Sequence, residues 1–249
     1  MLRIENLTKI YPNGTVALRE VSFEVPEGQF LVVVGLSGSG KSTLLRCINR
    51  LIEPTAGRVI WDETDITAAK GKELRSIRRQ IGMVFQQFNL VKRSSVMTNV
   101  LSGRLGYVNP WLSLLGIWSR AERERARRAI ERVGIGEKAS SRADALSGGQ
   151  QQRVGIARAL MQEPRLLLAD EPVASLDQVL AHSILQYIEM LNKSDGVTII
   201  CSLHFLDLVH RYATRVIGLK DGVKVFEGLP KEIDRVRFKE IYGEEAEEL

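Results

Sequence analysis

Two cysteines, Cys47 and Cys201, in 249 residues are too few for a disulfide framework. Both stand in apolar strand-like or helix-like contexts and read as small buried hydrophobes. No secretory leader is legible at the start, so a reducing compartment is expected. Long hydrophobic runs are missing too: the longest, Phe30-Leu31-Val32-Val33-Val34, has strand length, far below the roughly 18–20 apolar residues of a spanning helix. A membrane role therefore has to run through a partner. Internal repeats and low-complexity linkers are absent as well. What is present, 44% hydrophobic and 26% charged residues, suits one soluble α/β domain or one core with a helical lobe grafted on. The net charge of +5 is compatible with nucleic acid, an anionic membrane or polyphosphate, and chooses none of them.

Val21, Phe23 and Val25 alternate with Glu20, Ser22 and Glu24 as in a half-buried strand. The run from Phe30 is of the fully buried type. After a glycine-rich loop, Leu44, Leu45, Ile48, Leu51 and Ile52 share one helical face. Residues 58–61 and 81–85 read as strands around a basic helix at 70–79. From Gln86 to about Leu146 strand signals vanish and helical ones dominate. Ser119 with Glu122 predicts a capping box for a helix reaching Val133 and stopped by Gly134. Its face of Glu122, Arg123, Glu124, Arg125, Arg127 and Arg128 reads as solvated surface. Buried strands return at 166–169, 197–201 and 215–219, and Asp221-Gly222 predicts a hairpin into 223–226. The acidic end at 244–248 is expected to fray.

Three motifs carry chemistry, and a fourth imitates one. Gly35-Leu36-Ser37-Gly38-Ser39-Gly40-Lys41-Ser42-Thr43 fits the phosphate-loop pattern, preceded by a buried strand and followed by an amphipathic helix. Its glycines let backbone N–H groups curl around phosphates, Lys41 would reach the β- and γ-phosphates, and the Ser42 hydroxyl would ligate Mg²⁺. Asp170-Glu171 closes an apolar strand: Asp170 is placed to hold Mg²⁺ through water, Glu171 to act as general base on the attacking water. Asn192-Lys193-Ser194-Asp195 matches a guanine-recognition motif, but it follows a helix and precedes a strand, the reverse of what that motif requires. It reads as a helix-terminating turn, and adenine is the better base. Finally, Ser147-Gly148-Gly149-Gln150 opens a helix and makes a second anion-binding end. One triphosphate loop has no use for it unless a second copy presents it across an interface.

Tyr11, the phosphate loop, Gln86 after Phe85, Ser147 to Gln150, Asp170-Glu171, Ala174 to Asp177 and His204, in this order along the chain, resemble the markers of the ATP-binding-cassette transporter ATPases over essentially the whole chain. The resemblance implies a P-loop NTPase α/β core with an inserted helical subdomain and an antiparallel β subdomain. The core would take residues 1–85 and 160–228, the helical subdomain with the signature motif 86–159, and a C-terminal helix and tail 229–249. It further implies ATP and Mg²⁺ as ligands. Tyr11 would stack on adenine, with Gly35, Ser37, Gly38, Ser39, Gly40, Lys41, Ser42 and Thr43 around the phosphates. Gln86 would bridge Mg²⁺ and a permease, and His204 would contact the γ-phosphate. Ser147, Gly148, Gly149 and Gln150, with Asp177 of the interface loop Ala174-Ser175-Leu176-Asp177, would meet the other copy's nucleotide. Lys41, Gln86, Glu171 and His204 form the implied catalytic set, and Ser42, Gln86 and Asp170 the metal set.

Finer resemblance is to the importer ATPases for phosphonates, through Val100-Leu101-Ser102-Gly103-Arg104-Leu105-Gly106, the apolar segment behind it, and Ile241-Tyr242-Gly243. Leu36, Phe205 and Gln178 depart from common cassette residues. The implied partners are a second ATPase subunit, integral membrane permease subunits and, indirectly, an extracytoplasmic solute-binding protein. The implied place is the cytoplasmic face of the membrane. A polar amino-acid or other small-solute transporter is the alternative. A cassette acting on nucleic acid fits less well, for want of a second cassette, a coiled-coil insertion or a basic stripe. The segment 110–118, with two tryptophans and several leucines, is expected to be the helical lobe's own core rather than a permease-contacting patch.

Overall fold

The structure, a computed structural model, describes residues 1–174 and 176–243. Ser175 of the expected interface loop and the acidic end 244–248 lie outside the described residues. The strands are β1 (Leu2–Ile10), β2 (Val16–Val25), β3 (Phe30–Val34), β4 (Ala56–Trp61), β5 (Thr64–Asp65), β6 (Ile81–Val84), β7 (Leu166–Ala169), β8 (Thr198–Ser202), β9 (Arg215–Lys220) and β10 (Val223–Gly228). Interleaved with them run α1 (Lys41–Ile48), α2 (Gly71–Arg79), α3 (Val96–Leu101), α4 (Pro110–Leu114), α5 (Arg120–Arg132), α6 (Gly148–Leu160), α7 (Gln178–Asp195), α8 (Leu206–Tyr212) and α9 (Arg235–Tyr242).

One sheet has the order β2-β1-β4-β5 and is antiparallel. The other has the order β10-β9-β3-β8-β7-β6, parallel except for β10. Strand alternation explains how one parallel sheet serves two cores. Phe30, Val32 and Val34 of β3 point into a cluster with residues of α3, α5, α6 and α7. Leu31 and Val33 point the other way, into a cluster with α1 and the inner face of the antiparallel sheet. This is the P-loop cassette architecture expected from the motifs. The Asp221-Gly222 hairpin is present, with both residues at positive φ.

Three expectations are corrected. The helix after the phosphate loop ends at Ile48, so Leu51 does not join its buried face and is 52% exposed. Arg50 turns the chain at φ 52, and its guanidinium binds Glu53 and the carbonyls of Ile66 and Ala69. Ser119 caps α5 by accepting from the Glu122 amide, but no reciprocal bond forms, because the Glu122 carboxylate is taken by Arg104 at 3.1 Å. And the segment 110–118 is not core: Trp111, Leu112, Leu114, Leu115 and Ile117 are exposed, and Trp118 alone packs against the buried cluster. The hydrophobicity was real, but no facing element among the described residues covers it.

Candidate functional site

Because β3, β6, β7 and β8 run parallel, their C-terminal ends lie at one edge of the sheet. Residues just beyond those ends meet there, where open α/β sheets commonly bind ligands. After β3, the chain passes through Gly35 at φ 145 and Gly40 at φ 105. A Cβ on Gly35 would stand 2.2 Å from the Leu219 carbonyl oxygen, and one on Gly40 2.4 Å from that of Ala17. Only glycine fits either place. Gly40 opens α1 without any side-chain cap, so the first amides of α1 are left for a ligand. The Ser39 hydroxyl is buried and has no partner among the described residues, an omission that costs about 1–3 kcal/mol unless an acceptor arrives. An uncapped helix end beside an orphaned hydroxyl fits a phosphate.

Lys41 is buried, and its ammonium donates to the carbonyls of Gly35 (2.8 Å) and Leu36 (2.9 Å). Burial holds its pKa below the ordinary lysine value, against the opposing pull of Glu171 and Asp170. The Glu171 carboxylate lies 3.6 Å from the ammonium. Its Oε1 meets His204 Nε2 at 2.5 Å, and its Oε2 accepts from Gln86 Nε2 at 2.9 Å. The hydrogen bond from His204 is the main reason its pKa falls below the usual carboxylate range, with Lys41 acting in the same direction and burial against it. Glu171 itself sits at φ 46, a conformation that costs an ordinary residue roughly 1–2 kcal/mol. Its amide donates to the Ser202 hydroxyl at 2.8 Å. Thus the expected catalytic set, Lys41, Gln86, Glu171 and His204, is brought together around one carboxylate.

Asp170, fully buried, accepts from the Ser42 hydroxyl at 2.7 Å and from Arg46 at 3.1 Å. Ser42 and Asp170 touch, and Gln86 reaches the neighbouring Glu171. Among the described residues no cluster of three or more His, Cys, Asp or Glu forms a metal cage. One carboxylate, one hydroxyl and one amide suit Mg²⁺, which keeps waters and takes substrate phosphates as ligands.

The remaining expected residues stand apart. Tyr11 follows β1, and its hydroxyl lies 3.3 Å from that of Thr43, which ties the aromatic ring to α1. Ser147 and Gln150 form a reciprocal capping box at the start of α6 (Gln150 amide to Ser147 hydroxyl 3.4 Å, Ser147 amide to Gln150 Oε1 3.1 Å). No recorded hydrogen bond or ion pair joins 147–150 to the Glu171 cluster among the described residues. Asp177 caps α7 by accepting from the Leu180 amide at 3.0 Å. Asn192 binds the carbonyl of Gly28, before the N-terminal end of β3. Five residues of strand, about 16 Å, separate that end from the phosphate loop, so a base-reading role is out of reach.

Four residues near the site were given no site role from the sequence. Arg46 and Ser202 steady the acidic pair. Arg158 of α6 donates to the carbonyls of Asn89 (2.6 Å) and Phe88 (2.8 Å), both at positive φ just past Gln86. Tyr242 of α9 donates to the His204 carbonyl at 3.4 Å, and burial pushes its phenol up to about 12 against the opposing effect of the Gly35 amide.

The chain belongs to the ABC transporter family, whose sequence pattern matches residues 18–174. It is 55% identical, over 100% of its length and 96% of the relative's, to the phosphonates import ATP-binding protein PhnC of Bdellovibrio bacteriovorus. A PhnC of Halalkalibacterium halodurans is 48% identical with the same coverage. Among solved structures, the dimeric ADP- and Pi-bound cassette MJ0796 superposes with a TM-score of 0.83 at 36% identity, covering 92% of this chain and 99% of that one. The ADP form of the cassette MJ1267 gives 0.82 at 32% identity, covering 95% and 94%.

Proposed function

We propose that this chain hydrolyses ATP as one half of a paired cassette and so drives phosphonate import through a membrane permease. The observation that carries the chemistry is the Glu171 carboxylate, held between Lys41, Gln86 and His204 beside an uncapped helix end and an orphaned Ser39 hydroxyl. The cargo rests on relatives matched end to end that are named for phosphonate import. Tyr11 stacks on adenine, and residues 35–43 wrap the phosphates. Ser42, Asp170 and Gln86 would hold Mg²⁺, which would supply positive charge to offset the negative charge of the phosphates. The γ-phosphate draws the Lys41 ammonium toward itself and frees the Glu171 carboxylate from that pairing. Glu171, kept ionised, takes a proton from the attacking water, while His204 donates toward the γ-phosphate.

The second copy's Ser147–Gln150 end and Asp177 complete the site, so nucleotide acts as interface glue and its hydrolysis reopens the pair. Residues 86–159 move as a helical subdomain against the core of 1–85 and 160–228, with 229–249 as a C-terminal helix and tail. Gln86 and the loop gripped by Arg158 pass that motion to the permease. No helix among the described residues is long and apolar enough to cross a membrane, in keeping with a peripheral subunit on the cytoplasmic face. A solute-binding protein outside would deliver the cargo. The test is to co-purify the chain with its permease, reconstitute the complex with binding protein, and add alkylphosphonate. Phosphonate should stimulate ATPase activity. Stimulation by an amino acid and not by phosphonate would sink the cargo assignment.

A further inference from the structure

The apolar segment around α4 faces solvent with no cover from the described residues. Trp111 is 76% exposed, Leu114 77%, Leu115 71% and Ile117 55%. Five residues of helix ended by Leu115 and by Gly116 at φ 69 throw these side chains outward. The cleft of about 440 Å³ beneath α4 is lined by Arg75, Arg78, Arg79, Tyr107, Val108 and Pro110, and not by the outward set. Tyr107 fastens the segment to the body: its ring lies under Arg104 (3.9 Å) and Arg79 (5.2 Å), and its hydroxyl lies 2.9 Å from the carbonyls of Arg79 and Gln162. The apolar side chains are therefore presented on a braced base. Uncompensated exposure of this kind marks an interaction surface.

The apolar stretch itself carries no acid, and of the acids flanking it Glu73 lies on α2 while Glu122 and Glu124 on α5 are held by Arg104 and Arg127. From residue 105 to 121 the chain has no Asp or Glu. Arg120 and Arg123, at the start of α5, have no carboxylate partner among the described residues. On α2, Lys72, Arg75 and Arg79 recur at i, i+3 and i+7 on an exposed face. We propose that the α4 segment is a lipid-contacting wedge, with Trp111, Leu114, Leu115 and Ile117 seated at the headgroup–acyl boundary of an anionic membrane and the basic groups of α2 and α5 on its headgroups. Tryptophan favours that boundary, and each basic side chain near an anionic surface adds attraction. Exposed apolar side chains flanked by basic residues of α2 and α5 fit a deformable anionic surface. A protein partner would have to supply a concave apolar seat and acids of its own.

The wedge stands beyond the permease contact proposed above, and vesicles without permease test it separately. The full chain is floated with vesicles of phosphatidylcholine alone or doped with phosphatidylglycerol. Wild type should float with the doped vesicles, be released by salt, and show Trp111 emission quenched by brominated acyl chains, a signal lost in Trp111→Phe. Leu114→Glu with Leu115→Glu should weaken binding by more than about tenfold, with melting temperature and ATPase activity in solution unchanged. Arg120→Gln and Arg123→Gln should each cost about fivefold. Equal flotation of wild type and the double glutamate variant, or unquenched Trp111, would overturn the wedge. So would a double variant that floats normally but no longer co-purifies with the permease, since the patch would then be a protein-docking surface.

Discussion

The two anion-binding helix ends of this chain are built in opposite ways. At the start of α1 nothing caps the helix, and Ser39, Lys41, Ser42, Asp170 and Glu171 crowd around it in a partly buried, heavily interconnected cluster. At the start of α6, Ser147 and Gln150 satisfy each other's amides in a closed capping box, and Ser147 and Gly148 face solvent. The first end is unfinished without a ligand, whereas the second is locally complete and self-supporting. That asymmetry suits a shared site: one half binds nucleotide alone, and the other half is a stable surface that the partner's nucleotide meets only on closure.

Glu171→Gln should break the comparison hardest. Removing the base is expected to lower ATPase activity by about 10²–10⁴-fold, while Mg-ATP drives the variant into a dimer on size exclusion. A variant that stays monomeric at saturating Mg-ATP would end the shared-site reading. The same pair of proteins carries a pH signature. His204 and Lys41 hold the Glu171 carboxyl below its ordinary value of 4.5, so the folded state binds fewer protons than the unfolded one. That stabilisation is full above pH 4.5 and fades as pH falls through the lower native value. Glutamine has no such dependence, so the stability advantage of wild type in urea melts should shrink below pH 4.5.

Gly148→Asp tests the other half. A Cβ there meets nothing closer than Leu176 at 3.8 Å, so the fold should tolerate it. The new carboxylate would confront a γ-phosphate across the interface. ATPase activity should fall about 10²–10³-fold and ATP-driven dimerisation should vanish, with nucleotide binding by the single chain unchanged. Weakened binding by the single chain would mean that the α6 end serves its own phosphate loop.

What the sequence made legible follows from this contrast. The phosphate loop and acidic pair could be read because glycine spacing and strand context constrain each of them locally. The α6 end could be read because a serine and two glycines opening a helix are written in consecutive residues. Arg46, Arg158 and Tyr242 could not be read, since each reaches the site across a distance in sequence that only the packed sheet closes. The segment 110–118 was misread for a related reason: apolar spacing reports what a segment is able to bury, and burial needs a facing element. Leu51 fails similarly, because Arg50 anchors the chain away from the helix axis.

Arg158→Met sharpens the comparison from the loop between the two ends. Arg158 holds the carbonyls of Phe88 and Asn89 while both residues are at positive φ. Methionine keeps the aliphatic bulk and loses both bonds. Stability should drop by about 1–3 kcal/mol in urea denaturation, and amide exchange should rise at 87–90 with the α1 end unaffected. Basal ATPase activity should change little, whereas stimulation in the permease complex should fall, because Gln86 is then carried by an unrestrained loop.

Tyr242→Phe should give the smallest effect and the finest discrimination. The ring of Tyr242 stacks on Phe238 at 4.6 Å between centroids, and phenylalanine preserves that contact. The hydroxyl bond to the His204 carbonyl, worth about 0.5–1.5 kcal/mol, is lost together with the phenol's interaction with the Gly35 amide. If α9 positions His204, kcat should fall by about two- to tenfold while KM for ATP holds, because the phosphate loop itself is intact. A uniform loss of stability with kcat unchanged would reduce α9 to packing. A rise in KM alone would instead place the hydroxyl's influence on Gly35, and so on the α1 end of the comparison rather than on the switch histidine.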